Sequence, residues 1–248
     1  MENEHNNHHD MPSPKKEGTL TTPQAIIVAG AMIMGAIFIT RPHTTIQTAP
    51  TQQGQAGLSQ PLSAQVGVSK DALNACIKNT DVDALARSIS KSVNSTISED
   101  KRGTPYTIVI GKNGVKAEIQ GVVSYAALKK VVDDAAQGIA DDPYTGTVNL
   151  SEENDHVQGV AGAPITIIEY SDFQCQYCRA FQPNLEQLMK DEAGQVTWIY
   201  RHFPIHQHSF EMIVASDCIA KIAGEDAFWK YADLLFNYQD QTFNSADL

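Results

Sequence analysis

Apolar side chains recur at helical spacing in the first ordered part of the chain, which begins near Val66. The segment from Lys70 to Lys78 predicts a short helix, and a longer helix follows Asp81, a residue suited to cap a helix N-terminus. The apolar stripe of this longer helix consists of Val82, Leu85, Ala86, Ile89, Val93 and Ile97. Spacings of three and four residues predict that this face of the helix packs on a core.

The next segment changes from helical spacing to short β-rich runs. The run Tyr106–Ile110 is followed by the turn pair Asn113 and Gly114, and then by a second run over Val115–Gln120. Two such runs joined by a short turn predict a β-hairpin. Ser124 is placed to cap one further helix, so this half of the fold is predicted as two helices, a hairpin and a helix.

The second half has the pattern of a β-α-β unit. Residues 138–160 are rich in Asp, Glu and Gly, which predicts a linker with a short strand at Thr147–Leu150. A buried strand over Ile165–Tyr170, a helix over Tyr177–Lys190 and a strand over Val196–Phe203 follow, and two more helices complete the chain. Strands and helices of this kind predict an α/β fold.

The N-terminal part is predicted to lie outside the globular domain. Residues 1–19 are polar and predict a disordered cytoplasmic tail, whereas 20–40 contain no charged residue and predict a single transmembrane anchor. Lys15 and Lys16 precede the anchor, so the rest of the chain is expected outside the cytoplasm. A cleaved signal peptide is the alternative. Residues 41–65, rich in Thr, Gln, Pro and Gly, predict a flexible tether.

Composition narrows the possible functions. The chain has 248 residues and a formal net charge of -11, which disfavours nucleic-acid binding because phosphate recognition needs clustered Lys and Arg. It also has four cysteines, and an exported domain lies where thiols are not kept reduced. Cysteine chemistry is therefore plausible from the expected location alone.

Cys175 and Cys178 form a C-x-x-C motif between the predicted strand and helix. A helix N-terminus stabilises a thiolate on the first cysteine, which we expect to be exposed, while the second can resolve a mixed disulfide from a buried position. A plain structural disulfide or half of a zinc site is the alternative. The chain has no second C-x-x-C to complete a zinc site, and we expect no metal.

The motif and its flanks resemble the DsbA-like thiol oxidoreductases of the thioredoxin superfamily. The resemblance lies in the run Ile168–Cys178, in Tyr200–Pro204, and in Gly103–Tyr106, which is similar to the cis-proline loop of that family. It covers nearly all of residues 66–248 and implies a thioredoxin-like fold with a helical insertion. The redox-active disulfide would be the only cofactor.

The resemblance also implies roles for individual residues and partners. Cys175 and Cys178 would be catalytic, and Glu169 would transfer protons near the buried thiol. Thr104 and Pro105 would dock substrate as an added strand beside the two residues between the cysteines, Gln176 and Tyr177. Thiols of exported proteins would be the substrates, and a quinone-linked membrane oxidase would reoxidise the enzyme.

The order of the segments departs from the family. The cis-proline half, residues 66–137, precedes the C-x-x-C half, residues 161–248, with 138–160 as the connection. This order predicts a circular permutation with new ends in the helical insertion. Two alternatives remain: a domain completed by swapping with a second chain, and a remnant that does not fold.

The remaining cysteines, Cys76 and Cys218, fall in predicted helices of different halves. Export favours a structural disulfide between them over two buried free thiols. The spacing of His202, His206 and His208 lacks the regularity of metal ligands, so we expect structural or surface positions for these histidines.

The sequence thus predicts a membrane-anchored oxidoreductase that introduces disulfides into exported proteins. A disulfide isomerase or reductase is the alternative within the same chemistry. A non-catalytic module that binds peptides, or copper between the two cysteines of the motif, is the alternative outside it.

Overall fold

A computed structural model describes residues 60–239 of the chain. The predicted tail, the predicted anchor and nearly all of the predicted tether lie outside this range, as do residues 240–248. Among residues 60–239, no helix has the length and apolar character needed to cross a membrane.

One five-stranded sheet organises the described part of the chain. Its strands are β1 (Tyr106–Ile110), β2 (Lys116–Gln120), β3 (His156–Gly159), β4 (Ile165–Ser171) and β5 (Val196–His202). The spatial order is β2, β1, β4, β5, β3, and only β4 and β5 run parallel. A parallel pair requires a crossover, which the helix between β4 and β5 provides.

Seven α-helices of the described range accompany the sheet. They are α1 (Leu62–Gln65), α2 (Lys70–Asn79), α3 (Val82–Thr96), α4 (Tyr125–Gln137), α5 (Gln176–Asp191), α6 (Ser209–Ala223) and α7 (Glu225–Asn237). The capping side chains of Ser69, Asp81 and Ser124 each accept a hydrogen bond from the backbone N–H three residues later. These bonds satisfy donors that a helix N-terminus would otherwise leave free.

The β1–β2 hairpin is confirmed, with Tyr106 opposite Gln120 and Ile110 opposite Lys116. Asn113 has a φ of 60° in the connecting turn, a left-handed conformation that Asn tolerates better than most residues. Gly111 lies so close to α4 that a Cβ would come within 2.1 Å of the Ala135 carbonyl oxygen. A side chain at this position would therefore push α4 away from the hairpin.

The connection between the halves differs from the prediction. The short strand expected at Thr147–Leu150 is absent, and β3 lies instead at His156–Gly159, where it pairs with the edge of β5. Arg201 in β5 holds the incoming chain, because its guanidinium donates to Asp155 Oδ1 at 2.6 Å, Asp155 Oδ2 at 3.0 Å and the Asn149 carbonyl at 2.7 Å. The position of β3 thus goes with long-range polar contacts, and no alternation of apolar residues marks it in the sequence.

Both halves of the chain contribute to the same sheet. β1, from the first half, pairs with β4, from the second half, so that Tyr106 lies opposite Tyr170 and Thr107 opposite Glu169. The sheet is thus completed within one chain. That this order is a circular permutation stays a prediction, as does exchange of the halves between two chains.

Candidate functional site

The first half of the site is the N-terminus of α5. Cys175 occupies the capping position, and its sulfur accepts the Cys178 N–H at a donor–acceptor distance of 3.5 Å. Cys178 lies within the first turn and is fully buried. Both cysteines are present as free thiols, so the structure represents the reduced form.

The second half of the site is the loop before β1. The peptide bond between Thr104 and Pro105 is cis. The Cys175 thiol donates to the Thr104 carbonyl oxygen at 3.4 Å, and the Pro105 carbonyl accepts the Gly121 N–H at 2.9 Å. The pairing of β1 with β4 therefore brings together residues that are 71 positions apart in the chain.

The surroundings of Cys175 favour its thiolate and lower its pKa to about 5. The Cys178 thiol is the main cause, because it can donate a hydrogen bond to the Cys175 sulfur, and this effect exceeds the opposing effect of burial. The Thr104 side chain and the N–H groups of Tyr177 and Cys178 lower the pKa further. The Thr104 hydroxyl has no partner beside the thiol, so it is free to donate to a thiolate.

The predicted exposure of Cys175 is wrong. Only 3% of its surface is accessible, whereas the neighbouring Gln176 and Tyr177 are exposed. The sulfur lies against the Thr104 carbonyl, and this contact between the halves was invisible in the local sequence. The exposed residues that follow this covered sulfur in the chain are Gln176 and Tyr177.

Cys178 has the opposite acidity. Burial, the hydrogen bond to Cys175 and the nearby Glu169 carboxylate all raise the pKa of Cys178. Burial also raises the pKa of Glu169, to about 7, against weaker opposing effects of neighbouring polar side chains. A carboxyl that titrates near neutral pH beside a buried thiol can accept or release a proton there.

Glu169 lies in the middle of the sheet, where β4 is flanked by Thr107 on β1 and Tyr200 on β5. The Gln182 side chain on α5 donates to each Glu169 carboxylate oxygen at 3.4 Å. Sequence reasoning identified Glu169 but missed Gln182. The available signal was spacing, because Gln182 follows Cys178 by four residues and therefore lies on the same helix face.

Asp172 is a second residue that the sequence analysis missed. It is buried after β4 and accepts the N–H groups of Gln174 at 2.7 Å and Ile205 at 2.7 Å. It also accepts the Ser209 hydroxyl at 2.5 Å and contacts His206 Nδ1 at 3.0 Å. One carboxylate thus holds the loop after β5 against the segment that carries the cysteines.

The other two cysteines form a disulfide between Cys76 in α2 and Cys218 in α6. It joins residues separated by 142 positions and links the two halves of the chain. Among the histidines, His206 and His208 are exposed near the redox helix, whereas His202 is buried at the end of β5. The three histidines do not meet in one site.

The sheet order, the C-x-x-C at a helix N-terminus and the adjacent cis-proline loop define a thioredoxin-like fold. A family model described as thioredoxin matches residues 151–248. This match and the observed geometry agree on a thioredoxin-like fold.

Curated relatives match only part of their own length. The chain is 34% identical over 114 residues to a protein named Na(+)/H(+) antiporter NhaA 3 of Salinispora tropica, a match that covers 46% of this chain and 17% of the relative. The match to Na(+)/H(+) antiporter NhaA 1 of Salinispora arenicola has 33% identity over 116 residues, with the same coverage. The chain thus spans about a sixth of the length of these relatives.

Two solved structures of alpha-DsbA1 from Wolbachia pipientis, one of them a point variant, are also similar. Each has 26% sequence identity and a TM-score of 0.34, and the match covers 37% of this chain and 46% of the other.

Proposed function

We propose that this protein is a thiol-disulfide oxidoreductase that introduces disulfides into exported proteins. The observation that carries the proposal is the unequal acidity of two adjacent sulfurs. Cys175 has its pKa lowered to about 5, while burial raises the pKa of Cys178. A metal or purely structural role for the pair does not require this difference, whereas a nucleophile and its resolving partner do.

The proposed cycle begins with the Cys175–Cys178 disulfide. A substrate thiolate attacks the Cys175 sulfur and forms a mixed disulfide, and the Cys178 sulfur leaves with the bonding electrons. Cys178 then takes up a proton, for which Glu169 is the adjacent donor. The second substrate thiolate attacks the substrate sulfur of the mixed disulfide, so Cys175 leaves as a thiolate. The substrate is oxidised by two electrons and the enzyme is reduced by two.

The low pKa of Cys175 favours oxidation of substrate over its reduction. A stabilised thiolate stabilises the reduced enzyme, so the disulfide form becomes a stronger oxidant. A low-pKa sulfur is also the better leaving group in the final step. For this reason we rank an oxidase above an isomerase or reductase.

Substrate docking in this proposal uses Thr104, Pro105, Gln176 and Tyr177. The loop before β1 lies against the nucleophile, and the two residues between the cysteines are exposed beside it. An extended segment that pairs with the Thr104–Pro105 backbone would place its own sulfur next to Cys175.

The anchored, outward-facing location is part of the proposal and rests on residues 15–40 of the sequence. Reoxidation would then require an electron acceptor at the membrane, for which a quinone-linked thiol oxidase is the expected class. Ion transport, which the names of the relatives describe, is not proposed for this chain, because the matches cover 17% of those proteins.

The experiment that tests the function is oxidative refolding of a reduced, disulfide-containing substrate with the oxidised full chain. We expect native disulfides to appear faster than with glutathione disulfide alone, and Cys175→Ser to abolish the gain. Peptide docking should be measured in parallel by calorimetry. If the wild type and Cys175→Ser both bind the peptide and the wild type does not accelerate refolding, the protein is a binding module and the enzyme proposal is overturned.

A further inference from the structure

Two histidines and an aspartate from β3, β5 and α6 face one another. His156 on β3, His202 on β5 and Asp217 on α6 are each at most 4% exposed, and their ligand atoms all lie within 4.8 Å of one another. We propose that this cluster is a binding site for a divalent transition-metal ion, with Zn²⁺ as the best fit. The site is independent of the proposed oxidoreductase function.

The distances suit zinc. Asp217 Oδ1 lies 2.8 Å from His202 Nε2 and 3.1 Å from His156 Nε2. Zinc binds imidazole nitrogen and carboxylate oxygen at about 2.0 to 2.2 Å, so ligand atoms on a tetrahedral ion are separated by roughly 3.3 Å. These two pairs need to open by only a few tenths of an ångström to admit the ion, and the ligating nitrogens of the two histidines lie within 4.8 Å of each other.

The ring of His156 is held in an orientation that serves a metal ligand. Its Nδ1 lies 3.3 Å from Glu225 Oε1, and the other oxygen of Glu225 accepts the Val157 N–H at 3.2 Å. The ring also stacks on Phe228 with 3.4 Å between centroids and 7° between planes. A carboxylate on the far nitrogen of a ligating histidine fixes its tautomer and direction, which is a recurrent feature of zinc sites.

The location indicates a structural site. The three ligands lie on three regular elements, so ligation would join β3 of the connecting segment to β5 and α6. Asp217 directly precedes the disulfide-bonded Cys218. With three protein ligands, the fourth tetrahedral position would be filled by a water, and the ion would stabilise the attachment of the connecting segment.

The test is zinc titration of the full chain, with two sources of competing ligands removed. The redox pair is kept oxidised, because thiolates bind zinc, and His5, His8 and His9 are replaced by Ala. We expect one zinc ion per chain, a melting temperature that rises with zinc, and cobalt absorption bands typical of a tetrahedral site. Absence of both zinc uptake and a zinc-dependent melting shift overturns the proposal and leaves an ion-pair network.

Matched variants locate the site. His156→Gln should abolish zinc uptake, whereas the exposed His206→Gln should retain it. Glu225→Gln should weaken zinc affinity by about ten- to a hundredfold without changing the stoichiometry. Because Glu225→Gln keeps all three proposed ligands, it still tests the site if His156→Gln does not fold. Unchanged zinc affinity in both Glu225→Gln and His156→Gln would overturn the assignment.

Discussion

The two cysteine pairs of this chain contrast in every property that decides their chemistry. Cys175 and Cys178 lie three residues apart at one helix N-terminus, and their pKa values are shifted in opposite directions. Cys76 and Cys218 lie 142 residues apart on two helices and are joined by a disulfide. Sequence separation and local environment, not the residue type, thus divide the pairs into one suited to turnover and one suited to holding the fold together.

The contrast extends to what surrounds each pair. Near Cys178 the protein buries Glu169, which can exchange a proton, and Gln182, which holds the Glu169 carboxylate by a hydrogen bond. Beside Cys218 lies the Thr80 hydroxyl, 3.6 Å from the sulfur. A reactive pair needs neighbours that respond to its charge, whereas a structural pair needs only packing.

The largest effect is expected from removing the resolving thiol. In Cys178→Ser, the Cys175 thiolate can still attack a substrate disulfide, but no second thiol can release the adduct. We therefore expect a covalent mixed disulfide to persist, visible on non-reducing gels and by mass spectrometry. The double variant Cys76→Ser with Cys218→Ser is the comparison and should accumulate no such adduct, because it leaves no unpaired thiol outside the redox pair. Equal adducts in both variants would contradict the division of the two pairs.

The next effect is loss of stability on removal of the long-range disulfide. A bridge that closes a loop of 142 residues restricts the unfolded chain, and Cys76→Ala with Cys218→Ala should lower the free energy of unfolding by up to about 5 kcal/mol. Urea denaturation of the wild type and of the double variant measures this loss of free energy of unfolding. The pKa of Cys175 should stay near 5 in the same variant. A large shift of that pKa would show that the bridge also shapes the redox site.

The local elements were predictable because their signals are local. Asp81 and Ser124 cap their helices as predicted, and the hairpin register follows its turn. The motif likewise identified Cys175 at a helix N-terminus. Propensity, capping and period act over a few residues, so a single sequence displays them.

The errors lie where distant residues meet. β3 is held by pairing with β5 and by polar contacts of His156, neither of which leaves an alternating apolar pattern. The burial of Cys175 depends on Thr104, 71 residues away. The proximity of His156 and His202 also depends on strand order. Such contacts are properties of topology, which local spacing does not record.

A smaller effect on stability is expected from Glu169→Gln, and it should depend on pH. The folded state holds the Glu169 proton up to pH about 7, whereas the unfolded state releases it near 4.5. The folded state thus binds more protons between these values, so rising pH destabilises the wild type across this window. Above pH 7 the variant should be more stable by roughly 3 kcal/mol.

Urea denaturation at pH 4 and pH 8 measures this difference. The two proteins should have similar stability at the lower pH and diverge at the higher one. A gain that is equal at both pH values would show that Gln merely packs better. Release of the mixed disulfide through Cys178 should also slow in the variant, because Glu169 no longer takes the thiol proton.

The smallest effect concerns the acidity of Cys175 itself. Thr104→Val removes a hydroxyl that has no partner beside the thiol and that lowers the pKa of Cys175. We expect this pKa to rise above about 5, since a hydrogen bond to the charged form is lost. Absorbance of the thiolate near 240 nm, followed against pH in the reduced protein, measures the change. Thr107→Val is the matched control, because Thr107 is also buried with an unpartnered hydroxyl but lies opposite Glu169. If Thr104→Val leaves the titration unchanged, the Cys178 thiol and the helix amides alone stabilise the thiolate, and the loop before β1 would serve only to position substrate.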